Sequence, residues 1–105
     1  MNLQSLSNAL GVMQSSMGMN LHVHHAQMVL FVGTQRSVTY KQVQDHFKIS
    51  NAAASRSLNS LSDNPRHRKT SYGLVNLYRD PSEGRRYRAR LSEKGLALYE
   101  LLADL

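Results

Sequence analysis

The stretch YKQVQDHFKISNAAASRSLNSL, Tyr40–Leu61, has the pattern of two short helices joined by a tight turn. Thr39 stands directly before it and Gln42 follows three residues later, which is the spacing of a capping box at a helix start. Ser50 suits the N-cap of the second helix, and Ile49 lies in the turn before it. The apolar stripe of the second helix is Ala54, Leu58 and Leu61. The stretch therefore predicts a helix-turn-helix.

The opposite face of the second helix is small and polar, where an ordinary surface helix would more often carry Glu and Lys. Small side chains let a helix backbone approach the edges of DNA bases, and Asn can pair with adenine and Arg with guanine. Free N–H groups at the helix start favour a phosphate. The predicted DNA contacts on this helix are Ser50, Asn51, Ala52, Ser55, Arg56 and Asn59. The alternative is that the run of alanines only supports helix formation.

A second structural signal comes from the stretch RDPSEGRRYRARLSEKG, Arg79–Gly95. Residues 86–91 alternate with a period of two, and residues 74–79 before them are strand-like. Residues 80–85 have the composition of a turn, so the two strands are predicted to form a hairpin. Ser92 is the predicted N-cap of a final helix.

The register of this hairpin is predicted by pairing Arg79 with Arg86 across the turn. This pairing places Tyr78 opposite Tyr87. The face predicted to pack on the core then carries Leu74, Asn76, Tyr78, Tyr87, Ala89 and Leu91, with Val75 and Leu77 on the other face. On that other face, Arg86, Arg88 and Arg90 are expected to point outward and follow DNA phosphates. The alternative is a solvated arginine face on a structural hairpin.

The charge of the chain is unevenly distributed. Its formal net charge is +6, and no Asp, Glu, Lys or Arg occurs before Arg36. Most of the basic residues lie between Arg56 and Lys94. A polyanion such as nucleic acid is therefore the first partner to consider, with a generally solvated basic surface as the alternative. The scattered acidic residues, and the absence of cysteine and of any phosphate-binding glycine loop, predict that the protein is not an enzyme and has no cofactor.

The uncharged first third of the chain predicts two helices with broad apolar faces. A stripe with helical spacing runs through the first helix, and Asn20 is the predicted cap of a second helix that reaches about Val32 and ends at Gly33. Uncharged helices of this kind are usually buried in the core or against another subunit. The predicted dimer interface is Leu3, Leu6, Leu10, Met13, Met17, Leu98 and Leu102. The alternative for the stripe is packing within its own domain.

With 105 residues, the chain is predicted to form a single domain over residues 1–105. Residues 1–33 would form a neutral helical dimerisation part, and residues 36–98 a DNA-binding core. No signal peptide is apparent, and the longest apolar run, Met28–Val32, is too short to span a membrane, so a cytoplasmic protein is expected. His22, His24 and His25 suggest a metal site. Because no cysteine or nearby carboxylate completes it, packing is the better interpretation for His25 and no metal is predicted.

Together these motifs resemble the MarR (multiple antibiotic resistance regulator) family over about residues 36–98. Besides the helix-turn-helix, the similar segments are Tyr72-Gly73-Leu74-Val75, Glu83-Gly84-Arg85 followed by Leu91-Ser92, and Ser92-Glu93-Lys94-Gly95. The resemblance implies an α+β, mostly helical winged helix-turn-helix fold with about five helices and a two-stranded wing. It implies a homodimeric repressor of transcription that binds double-stranded DNA, with the helix of Asn51–Leu61 in the major groove.

For the wing, the resemblance implies that Arg85 enters the minor groove, whose negative potential suits a guanidinium. Glu83 would orient that arginine through a charge-assisted pair. The sequence also departs from the family pattern. Glu83 replaces the usual Asp, Lys48 replaces the usual turn glycine, and Arg66–Lys69 belong to an insertion. The long C-terminal helices that usually build the family dimer are expected to be absent or shortened.

The sequence is also compatible with two other functions. Winged helices also serve as protein-interaction adaptors, which need not lose affinity steeply as salt is added. A DNA-binding protein that neutralises several phosphates should lose affinity steeply as salt is added. A non-specific architectural DNA-binding protein would show no preference between DNA sites.

Overall fold

The computed structural model of the protein describes residues 2–62, 72–82 and 87–105. Within these ranges the chain forms five α-helices and three strands. In chain order they are α1 (Leu3–Met17), α2 (Val23–Gln35), β1 (Val38–Thr39), α3 (Tyr40–Phe47), α4 (Asn51–Leu61), β2 (Val75–Arg79), β3 (Tyr87–Leu91) and α5 (Glu93–Ala103). The predicted α+β, mostly helical winged-helix architecture is confirmed.

The helix-turn-helix begins and turns at the predicted residues. The backbone N–H of Thr39 donates to Gln42 Oε1 at 2.8 Å, and the N–H of Gln42 donates to Thr39 Oγ1 at 3.1 Å, so the capping box is complete. Ser50 Oγ accepts a hydrogen bond from the N–H of Ala53 at 3.1 Å and caps α4. Each cap satisfies helix N–H groups that would otherwise lack a partner.

Helix α2 differs from its prediction at both ends. It begins at Val23 with His22 at the N-cap, not after Asn20, and it continues through Gly33 to Gln35. Gly33 lies where α2 crosses α5, and a Cβ at this position would lie 2.5 Å from Tyr99 Cδ2. The glycine therefore permits close helix packing and does not end the helix.

The sheet contains one strand more than predicted. β1 pairs antiparallel with β3, with Val38 opposite Ala89, and the strand order is β1-β3-β2. A strand of two residues is too short to show a period of two in the sequence. Its position matters because β1 joins the hairpin directly to the first residue of α3.

The predicted hairpin register is wrong by one residue. Arg79 lies opposite Tyr87 and not Arg86, and Tyr78 lies opposite Arg88. Since a shift of one residue exchanges the two faces of a strand, Val75 and Leu77 lie on the core face together with Ala89 and Leu91. Asn76 and Tyr78 lie on the other face. Val75 is fully buried, and burying it and Leu77 removes more apolar surface from water than burying Asn76 would.

The motif Ser92-Glu93-Lys94-Gly95 fastens α5 to the segment before β2. Ser92 Oγ donates to the carbonyl oxygen of Gly73 at 2.6 Å and accepts from the N–H of Gly95 at 3.1 Å. The N–H of Ser92 donates to the carbonyl oxygen of Leu74 at 2.9 Å. Ser92 is therefore the predicted cap and also a link between the hairpin and the last helix.

The predicted dimer residues divide into two groups. Leu3 is 83% exposed, and Leu6 and Leu10 are each almost half exposed. Met13 and Met17 are buried within the domain. Leu98 is 2% exposed and belongs to the core, and Leu102 is half-buried against it. Met13, Met17 and Leu98 are therefore covered by the domain itself, which does not support them as dimer contacts, whereas Leu3, Leu6 and Leu10 stay predicted contacts.

Candidate nucleic-acid interface

Helix α4 is fixed by its apolar stripe and free on its other side. Ala54, Leu58 and Leu61 are completely buried. Ser50, Asn51, Ala52 and Arg56 are exposed, and Ser55 and Asn59 are half-buried. The N-terminal half of the helix therefore presents small polar groups and one arginine on a rigid support. All six predicted contacts of this helix lie on one continuous surface.

Besides Ser50, which caps α4, three of these side chains make hydrogen bonds within the protein: Asn51, Ser55 and Asn59. Asn51 Oδ1 accepts from Gln44 Nε2 at 3.2 Å, and Asn59 Nδ2 donates to the carbonyl oxygen of Ser55 at 2.8 Å. Gln44 belongs to α3, and its bond holds the Asn51 amide with the NH₂ group available to an acceptor. Sequence reasoning missed Gln44, although its position on α3, before the turn to Asn51, is the signal that would have found it.

Lys48 occupies the turn between α3 and α4 in a left-handed conformation, with φ 56° and ψ 50°. A side chain disfavours this region, and glycine adopts it without penalty. The glycine that the resemblance to the MarR family leads us to expect at this turn would carry no such penalty. In this chain Lys48 is exposed, so the turn carries a positive charge beside the start of α4.

Arg88 does not project outward as predicted. Its Nε donates to Ser37 Oγ at 2.9 Å, and its Nη1 pairs with Asp80 Oδ2 at 3.2 Å. The side chain is only 28% exposed. The expectation of a free outward guanidinium is therefore wrong for Arg88, and a phosphate at this position would have to compete with Asp80.

Arg90 lies on the same face of the sheet and stays exposed. Its guanidinium carbon lies 4.5 Å from the centre of the Tyr78 ring, which is within the range of a cation–π contact. The guanidinium carbon of Arg79, at the end of β2, lies 5.5 Å from the centre of the Tyr87 ring and makes a second cation–π contact. Both arginines keep their charge at the surface while an aromatic ring limits their motion.

Asp80 begins the turn of the hairpin. Its Oδ1 accepts from both the N–H and the Oγ of Ser82, at 2.9 and 2.7 Å. The hydrogen bonds from Ser82, with further help from Arg88, lower the pKa of Asp80 below its ordinary value of 3.8. The carboxylate is therefore ionised at neutral pH and forms a charge-assisted pair with Arg88.

Several predicted residues lie outside the described ranges. These are Glu83, Arg85 and Arg86 in the wing and the basic insertion Arg66–Lys69. The roles of Glu83, Arg85 and Arg86 in binding DNA stay predictions, and the sequence predicted no role for the insertion. The described hairpin ends at Ser82 on one side and resumes at Tyr87 on the other.

Three histidines cluster at the start of α2. The rings of His24 and His25 are 4.3 Å apart, and those of His22 and His25 are 5.3 Å apart. His25 is 9% exposed, and its Nδ1 has no hydrogen-bond partner among the described residues. Burial, followed by repulsion from His24 and His22, lowers the pKa of His25 from 6.5 to about 4. Within the described part of the chain, no group of metal-binding side chains has the geometry to hold an ion.

This cluster borders a cleft of about 630 Å³ that reaches one side of α4. Arg56 and Ser57 of α4 line it together with Met28 and Phe47. The cleft therefore connects the histidines to the helix that carries the predicted DNA contacts.

None of the described helices is both long and apolar enough to cross a bilayer.

Solved structures of MarR-type proteins are similar to this chain. FabT from Streptococcus pneumoniae, in complex with DNA, gives a TM-score of 0.69 at 21% identity, over 97% of this chain and 69% of FabT. A MarR variant from E. coli, complexed with operator DNA, gives 0.67 at 14% identity, over 97% of this chain and 68% of MarR. A MepR variant from S. aureus gives 0.70 at 14% identity, over 96% of this chain and 66% of MepR.

These comparisons establish the fold as a winged helix-turn-helix of the MarR type. The likeness spans nearly the whole chain, although fewer than a quarter of the aligned residues are identical in the three structures named. No protein-family model matches the chain, and no curated protein matches it. The likeness is therefore one of fold and not of sequence.

Proposed function

We propose that this protein is a DNA-binding transcription regulator that recognises specific double-stranded sites. The observation that carries the proposal is the exposed N-terminal half of α4, where Asn51, Ala52 and Arg56 project from a helix fixed by fully buried residues. A rigid helix with small and bidentate side chains suits direct readout in the major groove. The structural neighbours crystallised with DNA support the same conclusion.

The wing would add a second contact. In the proposal Arg85 enters an A·T-rich minor groove and Glu83 orients it, while Arg86 and Arg90 approach phosphates. The net charge of +6, concentrated in the half of the chain that carries α4 and the wing, supports this surface as the one that meets DNA. Lys48, at the exposed turn, extends it.

The regulator would act as a homodimer. Exposed leucines of α1 border an apolar groove of about 500 Å³ between α1, α2 and α5, and the first 35 residues carry no Asp, Glu, Lys or Arg. A neutral apolar face can approach a second copy without charge repulsion. Two copies would place two α4 helices about one DNA turn apart, on a site with two-fold symmetry. Occupying such a site would repress transcription from an overlapping promoter.

Selection of bound duplexes from a random pool tests the proposal. The expected result is an enriched palindrome with A·T-rich flanks. Affinity for that duplex should fall steeply as salt rises, because several phosphates are neutralised. Equal binding to all duplexes with a steep salt dependence would instead indicate an architectural protein. Failure to bind any duplex would favour an adaptor that recognises a protein.

Arg56→Ala and Arg56→Lys refine the experiment. Lysine keeps the positive charge but lacks the planar fork that pairs with guanine in two places. If Arg56 reads a base, both variants should lose discrimination at one position of the enriched site. If it contacts only a phosphate, the lysine variant should retain the wild-type preference.

A further inference from the structure

One hydrogen-bonded network connects the turn of the hairpin to the helix-turn-helix. Ser37 Oγ lies 2.7 Å from the hydroxyl of Tyr78 and accepts from Arg88 Nε at 2.9 Å. Arg88 also pairs with Asp80, which accepts two hydrogen bonds from Ser82. The network therefore joins both strands of the hairpin and its turn to the segment that precedes β1.

Ser37 lies close to both the sheet and the start of the helix-turn-helix. The residues after it are Val38 and Thr39, which form β1 and pair with β3, and Thr39 is also the N-cap of α3. Only two residues thus separate the centre of the network from the start of the helix-turn-helix. A shift of the hairpin against Ser37 would change the angle between the wing and α4.

The conformation of Arg36 directs Ser37 into the network. Arg36 follows the end of α2 with φ 68° and ψ −43°, which an L-residue rarely adopts. Such a conformation persists only when its surroundings hold it, and it is found most often at functional sites. Here the contacts of Ser37 with Tyr78 and Arg88 supply that restraint.

We propose that Ser37, Asp80 and Arg88 are positioning residues that set the angle of the wing relative to α4. The inference rests on the proposed DNA-binding function. It assigns Arg88 a role within the protein in place of a phosphate contact. The planar guanidinium suits this role because one side chain can donate to two acceptors in fixed directions.

Asp80→Asn distinguishes positioning from simple electrostatics. The substitution removes a negative charge beside a basic surface, so a purely electrostatic effect would tighten binding to DNA. If Asp80 positions the wing, affinity for the enriched duplex should instead fall about tenfold, because the displaced wing gives up one contact with the DNA. Asp104→Asn is the control, since it makes the same change of charge at the exposed end of α5.

Two duplexes separate positioning from a loss of folded protein. One is the enriched site, and the other has the same centre with G·C-rich flanks. Misfolding would lower the active fraction equally for both. A misplaced wing should reduce the preference for A·T-rich flanks and leave recognition of the centre by α4 intact. Circular dichroism and a melting curve for each variant establish that it is folded.

Ser37→Ala and Arg88→Lys provide independent tests. Ser37→Ala removes the centre of the network without changing charge, and Arg88→Lys keeps the charge but not the fork. Both are expected to lose flank preference as Asp80→Asn does. Unchanged or tighter binding by folded Asp80→Asn, or wild-type flank preference in Arg88→Lys, would overturn the inference. If the wild-type protein binds no duplex, the proposed function fails first, so the two failures are distinguishable.

Discussion

Gly95 packs directly on the backbone of Leu74, so closely that a Cβ at position 95 would overlap the Leu74 carbonyl oxygen. The same carbonyl accepts the hydrogen bond from the N–H of Ser92. A side chain at Gly95 would therefore force α5 away from the segment that begins the hairpin. The glycine is required by this close approach and not by its backbone angles.

We expect Gly95→Ala to lower the free energy of unfolding by about 2–3 kcal/mol, because the overlap is with backbone that cannot rotate away. Gly11→Ala is the control, since no atom lies within 4 Å of a Cβ there and alanine favours the helix interior. That variant should gain about 0.5–1 kcal/mol. Urea denaturation measures both, and an unchanged midpoint for Gly95→Ala would contradict the packing argument.

Lys48→Gly should stabilise the protein by about 0.5–1 kcal/mol, because glycine adopts the left-handed conformation at the end of α3 without steric cost. Lys48→Ala removes the same charge and aliphatic stem but keeps the Cβ, so it should stay within about 0.5 kcal/mol of the wild type. Thermal unfolding of the two variants compares them. Equal stability of the glycine and alanine variants would show that the turn carries no strain.

Three helix starts could be predicted from the sequence because each cap depends on neighbouring residues, although the cap predicted at Asn20 did not form. The caps at Thr39, Ser50 and Ser92 each involve a partner three residues away, and all three formed as expected. The register of the hairpin could not be predicted in this way. The register depended on how much apolar surface Val75 and Leu77 bury against distant helices.

The candidate site also contains residues that could be predicted from the sequence and residues that could not. The exposed face of α4 could be recognised because its small polar residues follow the helical period. The position of Arg88 could not, since its partners Ser37 and Asp80 are 51 and 8 residues away in the chain. Alternation along a strand indicates on which face of the sheet a residue lies. It does not indicate which distant acceptor that side chain will meet.

His25 should make the stability of the protein depend on pH. Burial holds its pKa at about 4 in the folded state, below the ordinary 6.5, so the unfolded chain binds a proton more readily. Stability is therefore complete above pH 6.5 and falls as the pH approaches 4, by up to about 3 kcal/mol. Asp80 acts in the same direction, but only below pH 3.8.

Denaturation curves at several pH values between 4 and 7 measure this effect. His25→Gln should flatten the dependence, because glutamine does not titrate. His24→Gln removes an exposed neighbouring histidine and should leave most of the slope in place. A slope that survives in His25→Gln would assign the pH dependence to other groups.

Leu6→Glu should weaken the proposed homodimer. Leu6 lies on the exposed face of α1 and lines the apolar groove, where a carboxylate would be buried against a second copy without a partner. Leu96→Glu is the control, since Leu96 is exposed to a similar extent, 48% against 44%, but lies outside the groove. Sedimentation equilibrium should show more monomer for Leu6→Glu alone. A wild-type protein that is monomeric at micromolar concentration would contradict the dimer.

Arg85→Ala tests the wing contact most directly. If Arg85 enters the minor groove, the variant should bind the enriched duplex more weakly by about 1–3 kcal/mol and lose its preference for A·T-rich flanks. Measurements at two salt concentrations separate this role from a phosphate contact, because losing one phosphate contact weakens binding to all sequences alike and reduces the salt slope by about one. Arg79→Ala, on the outer end of β2, removes an equal charge from the same hairpin and is the comparison. Equal effects of the two substitutions on every duplex would mean that the wing attracts DNA through its charge and does not read the groove.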